Sequence, residues 1–91
     1  LKQYIMQKTI FITGASAGLG KANARLFQSK GWKVIATMRN PEKETELTKL
    51  DNVSVLPLDI TDVAQISSTV DKALALGDVD VVFNNAGYAL S

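Results

Sequence analysis

Residues 13–20 read Thr-Gly-Ala-Ser-Ala-Gly-Leu-Gly. A short apolar run, Thr9-Ile10-Phe11-Ile12, comes before them, and a stretch with helical periodicity from Leu19 to Lys30 comes after. The segment therefore reads as a glycine-rich turn from a strand into a helix. Such a turn aims free backbone N–H groups and the positive end of a helix dipole at one spot, which suits a phosphate. Glycines at 14, 18 and 20 let the backbone turn tightly and approach a ligand closely. A glycine turn of this kind also occurs simply to pack a strand against a helix, so its neighbours must decide. The P-loop pattern Gly-x-x-x-x-Gly-Lys-Ser/Thr fails, because Ala15 stands at its first glycine and Ala22 replaces the hydroxyl residue that would hold Mg²⁺. The dinucleotide pattern Gly-x-Gly-x-x-Gly fails literally too, since the spacing here is Gly-x-x-x-Gly-x-Gly.

Downstream the elements alternate. Leu19, Ala22, Leu26 and Phe27 recur at helical spacing with Lys21, Arg25 and Gln28 between them, which predicts a helix with one apolar face. Gly31 is a natural stop, Trp32 is expected to seat the next strand, and Val34-Ile35-Ala36 is that strand. Asn40-Pro41 predicts a short charged helix with Asn as cap, Glu42 and Glu44 in its first turn, and Leu47 and Leu50 as core contacts. Val53 to Leu58 is a third strand, ended by Asp59. Thr61-Asp62 caps a helix whose Val63, Ile66, Val70 and Leu74 are expected to line one side, and Gly77 stops it. Val79 to Phe83 is a fourth strand and runs into Asn84-Asn85-Ala86-Gly87.

The order β-α-β-α-β-α-β implies right-handed crossovers and a parallel sheet covered on both faces. The fold class is α/β, a doubly wound Rossmann-type sheet with expected strand order 3-2-1-4 and a ligand at the carboxyl ends of the strands. The apolar strands Val34-Ile35-Ala36 and Val81-Val82-Phe83 fit burial on both faces. The glycine turn, Arg39, Asp59 and Asn84 all fall at carboxyl ends of strands, so four separate features converge on one sheet edge.

TGASAGLG after the first strand, Arg39 just after the second, Leu-Asp-Ile-Thr at 58–61 after the third and Asn-Asn-Ala-Gly at 84–87 after the fourth resemble the short-chain dehydrogenase/reductase family, in its shorter-subunit type. The resemblance runs from about Met6 to the end of the chain. It implies a subunit that uses NAD(H) or NADP(H) to oxidise a small alcohol or reduce a carbonyl compound. It also assigns Gly14, Ser16, Gly18, Leu19 and Gly20 to the cofactor's pyrophosphate and adjacent ribose. Asp59 and Ile60 would border the adenine, and Asn85, Ala86 and Gly87 would approach the cofactor through backbone groups. Asn84 and Thr13 are expected to brace the turn by internal hydrogen bonds. Asp59 has a second reading, as a strand-end turn or capping residue.

The cofactor preference follows from charge. NAD-binding members of this fold place an acid at the end of the second strand, where it accepts from the ribose 2′-OH and repels a 2′-phosphate. Here that stretch is Ala36-Thr37-Met38-Arg39-Asn40, with no acid and one guanidinium. Each charge-assisted hydrogen bond to a phosphate is worth about 1.5–3 kcal/mol, or roughly 10- to 100-fold in affinity. Arg39 therefore favours NADP(H) over NAD(H), its competing reading being a solvated charge or a partner of a carboxylate such as Glu42. The basic residue that often stands before the middle glycine in NADP-binding members is Ala17 here.

A formal net charge of +1 and an isoelectric point near 8.2 form no basic stripe, so no nucleic-acid partner is expected. Cysteine and histidine are absent, which removes disulfides, cysteine nucleophiles and the commonest general base and metal ligand. No apolar run approaches a membrane span and no signal-peptide pattern precedes the first strand, so a cytoplasmic protein without membrane contact is expected. Residues 1–91 read as one cofactor-binding half-domain, with 1–5 as an extension upstream of Met6.

The family's catalytic set is a Tyr-x-x-x-Lys pair with a Ser. Tyr4 and Tyr88 are the only tyrosines; Lys8 follows Tyr4 by four residues, but ahead of the first strand and on the wrong side of the fold. No catalytic residue is therefore assigned. The fourth strand is expected to leave an unpaired edge where a fifth would continue the sheet. Two functions stay open: an NADP(H)-dependent oxidoreductase seen through its cofactor-binding half, which would pair into a homo-oligomer through its other half, or a non-catalytic dinucleotide-binding module.

Overall fold

The structure is a computed structural model that describes residues 7–85. Its elements follow the chain as β1 (Thr9–Thr13), α1 (Gly18–Ser29), β2 (Lys33–Met38), two 3-10 turns (Pro41–Lys43 and Leu47–Lys49), β3 (Val53–Pro57), α2 (Val63–Ala75) and β4 (Val81–Asn84). The four strands form one sheet in the order β3-β2-β1-β4, every pair parallel. This is the doubly wound 3-2-1-4 arrangement. Its register sets Ile12 between Ala36 on β2 and Phe83 on β4.

β1 and β2 are the buried centre, because each has a neighbour on both edges and a layer on both faces. Their side chains alternate between two cores. Ile10, Ile12, Val34, Ala36 and Met38 pack with Ala24 and Leu47 on one face; Phe11 and Ile35 pack with Leu58 and Ala73 on the other. Trp32 does seat the entrance of β2: it meets Phe27 edge-on, ring centroids 4.9 Å apart, with the Lys8 ammonium 5.7 Å from its ring.

Both helices bury a narrower stripe than their apolar patterns predict. α1 buries Gly20 and Ala24 and half-buries Phe27, whereas Leu19, Ala22 and Leu26 are exposed. Small residues at i and i+4 bring the helix backbone close to the sheet, and larger ones would hold it away. In α2, Thr69 and Ala73 are buried and Ile66 is half-buried, while Val63, Val70 and Leu74 face outward. Thr69 is suited to its burial because its hydroxyl donates to the Pro57 carbonyl. Asp62 caps α2 by accepting from the Gln65 N–H at 3.1 Å.

Two further expectations are corrected. The charged helix after Asn40 does not form; Pro41–Lys43 and Leu47–Lys49 are separate 3-10 turns, and Asn40 makes no side-chain cap. Glu44, between them, has an extended backbone, and its carboxylate takes the N–H groups of Glu46 and Leu47 that a continuous helix would have spent on carbonyls. β4 is not buried on both faces: Val82 is 63% exposed and Val81 40% exposed. Among the described residues β4 pairs with β1 only, which leaves its other edge open there.

That open parallel edge, together with the exposed Val70 and Leu74 of α2, predicts that residues 1–91 expressed alone self-associate. Sedimentation velocity should show oligomers or aggregate; a soluble monomer with a cooperative thermal transition would contradict this.

Candidate functional site

Gly14 (φ +64°) and Gly18 (φ +58°) give the β1–α1 turn its left-handed bends. Hydrogen bonds from both neighbouring strands hold it in place. On the β2 side, the Ala15 N–H donates to the Thr37 carbonyl at 3.0 Å and the Thr37 hydroxyl donates to the Ile12 carbonyl at 2.9 Å. On the β4 side, the Thr13 hydroxyl donates to Asn84 Oδ1 at 2.9 Å and Asn85 Nδ2 donates to the Gly14 carbonyl at 3.0 Å. Thr13 and Asn84 thus brace the turn, as their sequence positions suggested. Asn85 joins them through its side chain, which the sequence reading had not foreseen.

Gly20 has a distinct task. A Cβ there would lie 2.3 Å from the Gly14 carbonyl oxygen and 2.9 Å from Asn85 Nδ2. This glycine is buried and lets α1 sit directly on the turn.

Beside the turn a cleft of about 730 Å³ opens at the carboxyl ends of β1, β2 and β3. Gly14, Ser16, Gly18, Leu19, Arg39, Asp59, Ile60 and Asn85 all line it, together with Lys21, Lys43, Glu44 and Thr61, which the sequence reading had not placed there. Ala86, Gly87 and Tyr88 lie outside the described residues. Ser16, Ala17, Gly18 and Leu19 are exposed. Ala17, at the N-cap of α1, has no polar side chain to cap the helix, and no acid stands in its first turn. Its first amides and the positive end of its dipole are thereby left to the cleft, a donor set that fits a phosphate.

Arg39, directly after β2, carries an exposed guanidinium with Nε 3.8 Å from Asp59 Oδ2. Its carboxylate neighbour is therefore Asp59, across the cleft, rather than Glu42. Asp59 also shapes the next turn, its Oδ1 accepting from the Thr61 hydroxyl at 2.7 Å and the Thr61 N–H at 3.0 Å. Those two bonds from Thr61, with Arg39 adding attraction, hold the Asp59 carboxyl below its ordinary value.

Lys21 forms the other wall. Its ammonium bonds Glu46 and lies 3.5 Å from Glu44 Oε2, while Arg25 Nη2 meets Glu46 Oε2 at 2.7 Å. Glu46 is the largest cause of the raised Lys21 pKa, and Lys21 likewise the largest cause of the lowered Glu46 pKa. Burial alone would push the Glu44 carboxyl up. The N–H groups of Leu47 and Glu46 and the Lys21 charge outweigh it and hold Glu44 below 4.5. The sequence reading named Glu44 only as an acid in the first turn of the helix expected after Asn40, and did not name Glu46.

A family profile described as "short chain dehydrogenase" matches residues 8–91. The chain belongs to that family. An oxidoreductase of Botryotinia fuckeliana, BOA17, is 47% identical over 88 residues, covering 92% of this chain and 32% of the relative. The solved structure "ElxO with NADP Bound" is 34% identical at a TM-score of 0.78, covering 88% of this chain and 35% of that one. A 4-hydroxyisoleucine dehydrogenase complexed with NADH is 27% identical at a TM-score of 0.73, covering 84% and 32%. This chain thus spans about a third of the length of the curated relatives it matches. No helix among the described residues is long and apolar enough to cross a membrane, and no group of three or more acidic or other ligating side chains there could hold a metal ion.

Two outcomes are expected of the intact protein. Gly20→Ala drives a Cβ into backbone and should cost about 1–3 kcal/mol or more; Gly18→Ala meets open space and should cost only the left-handed strain, about 1–2 kcal/mol. Denaturant titration should rank Gly20→Ala as the worse, and equal effects would contradict the packing role of Gly20.

The lowered Glu44 pKa means that its contribution is complete above its ordinary 4.5 and is lost as pH falls through the depressed value. Glu44→Gln should therefore destabilise by about 1.5–3 kcal/mol at pH 7, by loss of charge-assisted hydrogen bonds, and the gap to wild type should close in acid. Stability measured from pH 7 down to pH 3 checks it.

Proposed function

We propose that this protein is an NADP(H)-preferring oxidoreductase that exchanges a hydride between the cofactor and a small alcohol or carbonyl compound. The described residues would then form the adenosine-diphosphate part of the cofactor site. The observation that carries the reading is one cleft with two complementary ends. The uncapped start of α1, with the glycine turn, offers amides to a pyrophosphate. Arg39 stands where β2 ends, and no acid takes that position. Glu44 also lines the cleft, but its carboxylate is engaged by Lys21 and two backbone amides. Asp59 and Ile60 would flank the adenine, and Asp59 would accept from its exocyclic amine while keeping its turn with Thr61.

Relatives support the reading from both sides. ElxO was solved with NADP and the 4-hydroxyisoleucine dehydrogenase with NADH, so the fold accommodates either and the residue after β2 is left to discriminate. When bound, the nicotinamide supplies or accepts the hydride; the residues of this chain bind and orient the far end of the molecule.

The test is direct. The intact protein should oxidise NADPH in the presence of small carbonyl compounds and bind NADPH more tightly than NADH. Arg39→Ala should erode that preference by about 10- to 100-fold. Tighter binding of NADH by the wild type would overturn the NADP(H) assignment. Binding of NADPH without turnover of any alcohol or carbonyl compound would favour a non-catalytic dinucleotide-binding module.

A further inference from the structure

The connection between β2 and β3 places one more cation at the cleft. Lys43 ends the first 3-10 turn, is exposed, and lines the same cleft as Arg39 and Asp59. The other cations there are engaged. Lys21 is held by Glu44 and Glu46, and Arg39 lies 3.8 Å from the Asp59 carboxylate. Among the described residues Lys43 has no ion pair.

Its backbone is fixed at both sides. The Lys43 N–H donates to the Asn40 carbonyl at 3.0 Å and the Glu44 N–H to the Pro41 carbonyl at 3.1 Å. Glu44 itself is buried, with Oε2 accepting from the N–H groups of Glu46 and Leu47 at 2.9 and 2.8 Å and lying 3.5 Å from the Lys21 ammonium. The residue after Lys43 is thus anchored both to α1 and to the second 3-10 turn. A phosphate monoester carries about −1.5 to −2 charges at pH 7, more than one guanidinium already facing an aspartate can balance.

We propose that Lys43 is a second phosphate-directed cation of this cleft, acting beside Arg39 on the adenosine 2′-phosphate, and that Glu44 is the positioning residue that presents it. This rests on the dinucleotide reading of the cleft given above. Lys43 adds to selectivity between the two nicotinamide cofactors rather than to affinity for both, since NADH lacks the group it meets.

Calorimetric titration of the intact protein with NADPH and with NADH tests it. Lys43→Met should shift the ratio of the two dissociation constants toward NADH by up to about five-fold, as expected for an exposed charge pair. Lys43→Arg should retain the wild-type ratio, and added salt should shrink the difference between wild type and Lys43→Met. Glu44→Gln should shift the ratio in the same direction, and the double variant with Lys43→Met should be no worse than Lys43→Met alone. If Glu44→Gln fails to fold, the two Lys43 variants still decide. Should the wild type bind neither dinucleotide, the reading of the cleft falls. Should it bind NADPH while Lys43→Met leaves the ratio unchanged, or weakens both cofactors equally, the role of Lys43 alone is overturned.

Discussion

The close seating of α1 on the glycine turn governs the rest of the structure. Gly20 leaves no gap between the helix and the Gly14 carbonyl, and Asn85 Nδ2, one residue past the end of β4, closes on that same carbonyl. From the other side, the Ala15–Thr37 and Thr37–Ile12 hydrogen bonds tie the turn to β2. The turn is therefore clamped between its two neighbouring strands. Clamping fixes where the first amides of α1 point, and a preorganised donor set binds an anion without a further ordering cost.

Charge is distributed along α1 in a way that serves two ends of one cleft. Its start has neither a capping side chain nor an acid, so the dipole is unopposed there. Lys21 and Arg25 meet Glu44 and Glu46 of the β2–β3 connection. These ion pairs hold the connection against the helix, where Arg39 and Lys43 can face the cleft. Glu46 is exposed and its pairs are worth little individually. Glu44 differs because it is buried and also receives two backbone amides, so removing its charge leaves those amides without a partner.

The two faces of the sheet are unequal. The face covered by α1 and the second 3-10 turn has the larger core, whereas α2 contributes only Ile66, Thr69 and Ala73 to the other. Val63, Val70 and Leu74 on α2 and Val81 and Val82 on β4 stay outside both cores. The cleft is nevertheless formed mainly by the carboxyl ends of β1, β2 and β3 and their loops rather than by the open edge.

Strand order, the glycine turn and the gathering of that turn, Arg39, Asp59 and Asn84 at the carboxyl ends of the strands were legible in the residues themselves. Each rests on local pattern: apolar runs of strand length, glycines between strand and helix, and polar residues where each run stops. Other features needed the folded chain. The apolar stripes of α1 and α2 indicated helices but not which side was buried, since Gly20 with Ala24, and Thr69 with Ala73, win the sheet by smallness and by a hydroxyl bond to Pro57. Glu44 looked like an ordinary acid in a helical first turn, and only contact with Lys21 and the second 3-10 turn turned it into a buried anchor. The close packing of Gly20 against the Gly14 carbonyl likewise could not be read from its place in the glycine pattern. Sequence by itself determined the four strands, α1 and α2 and their order, because these follow from interactions within a few residues; it did not determine the two 3-10 turns that replace the helix expected after Asn40. Tertiary structure alone decided which faces are buried and which charges meet, because those partners lie some twenty to seventy residues apart.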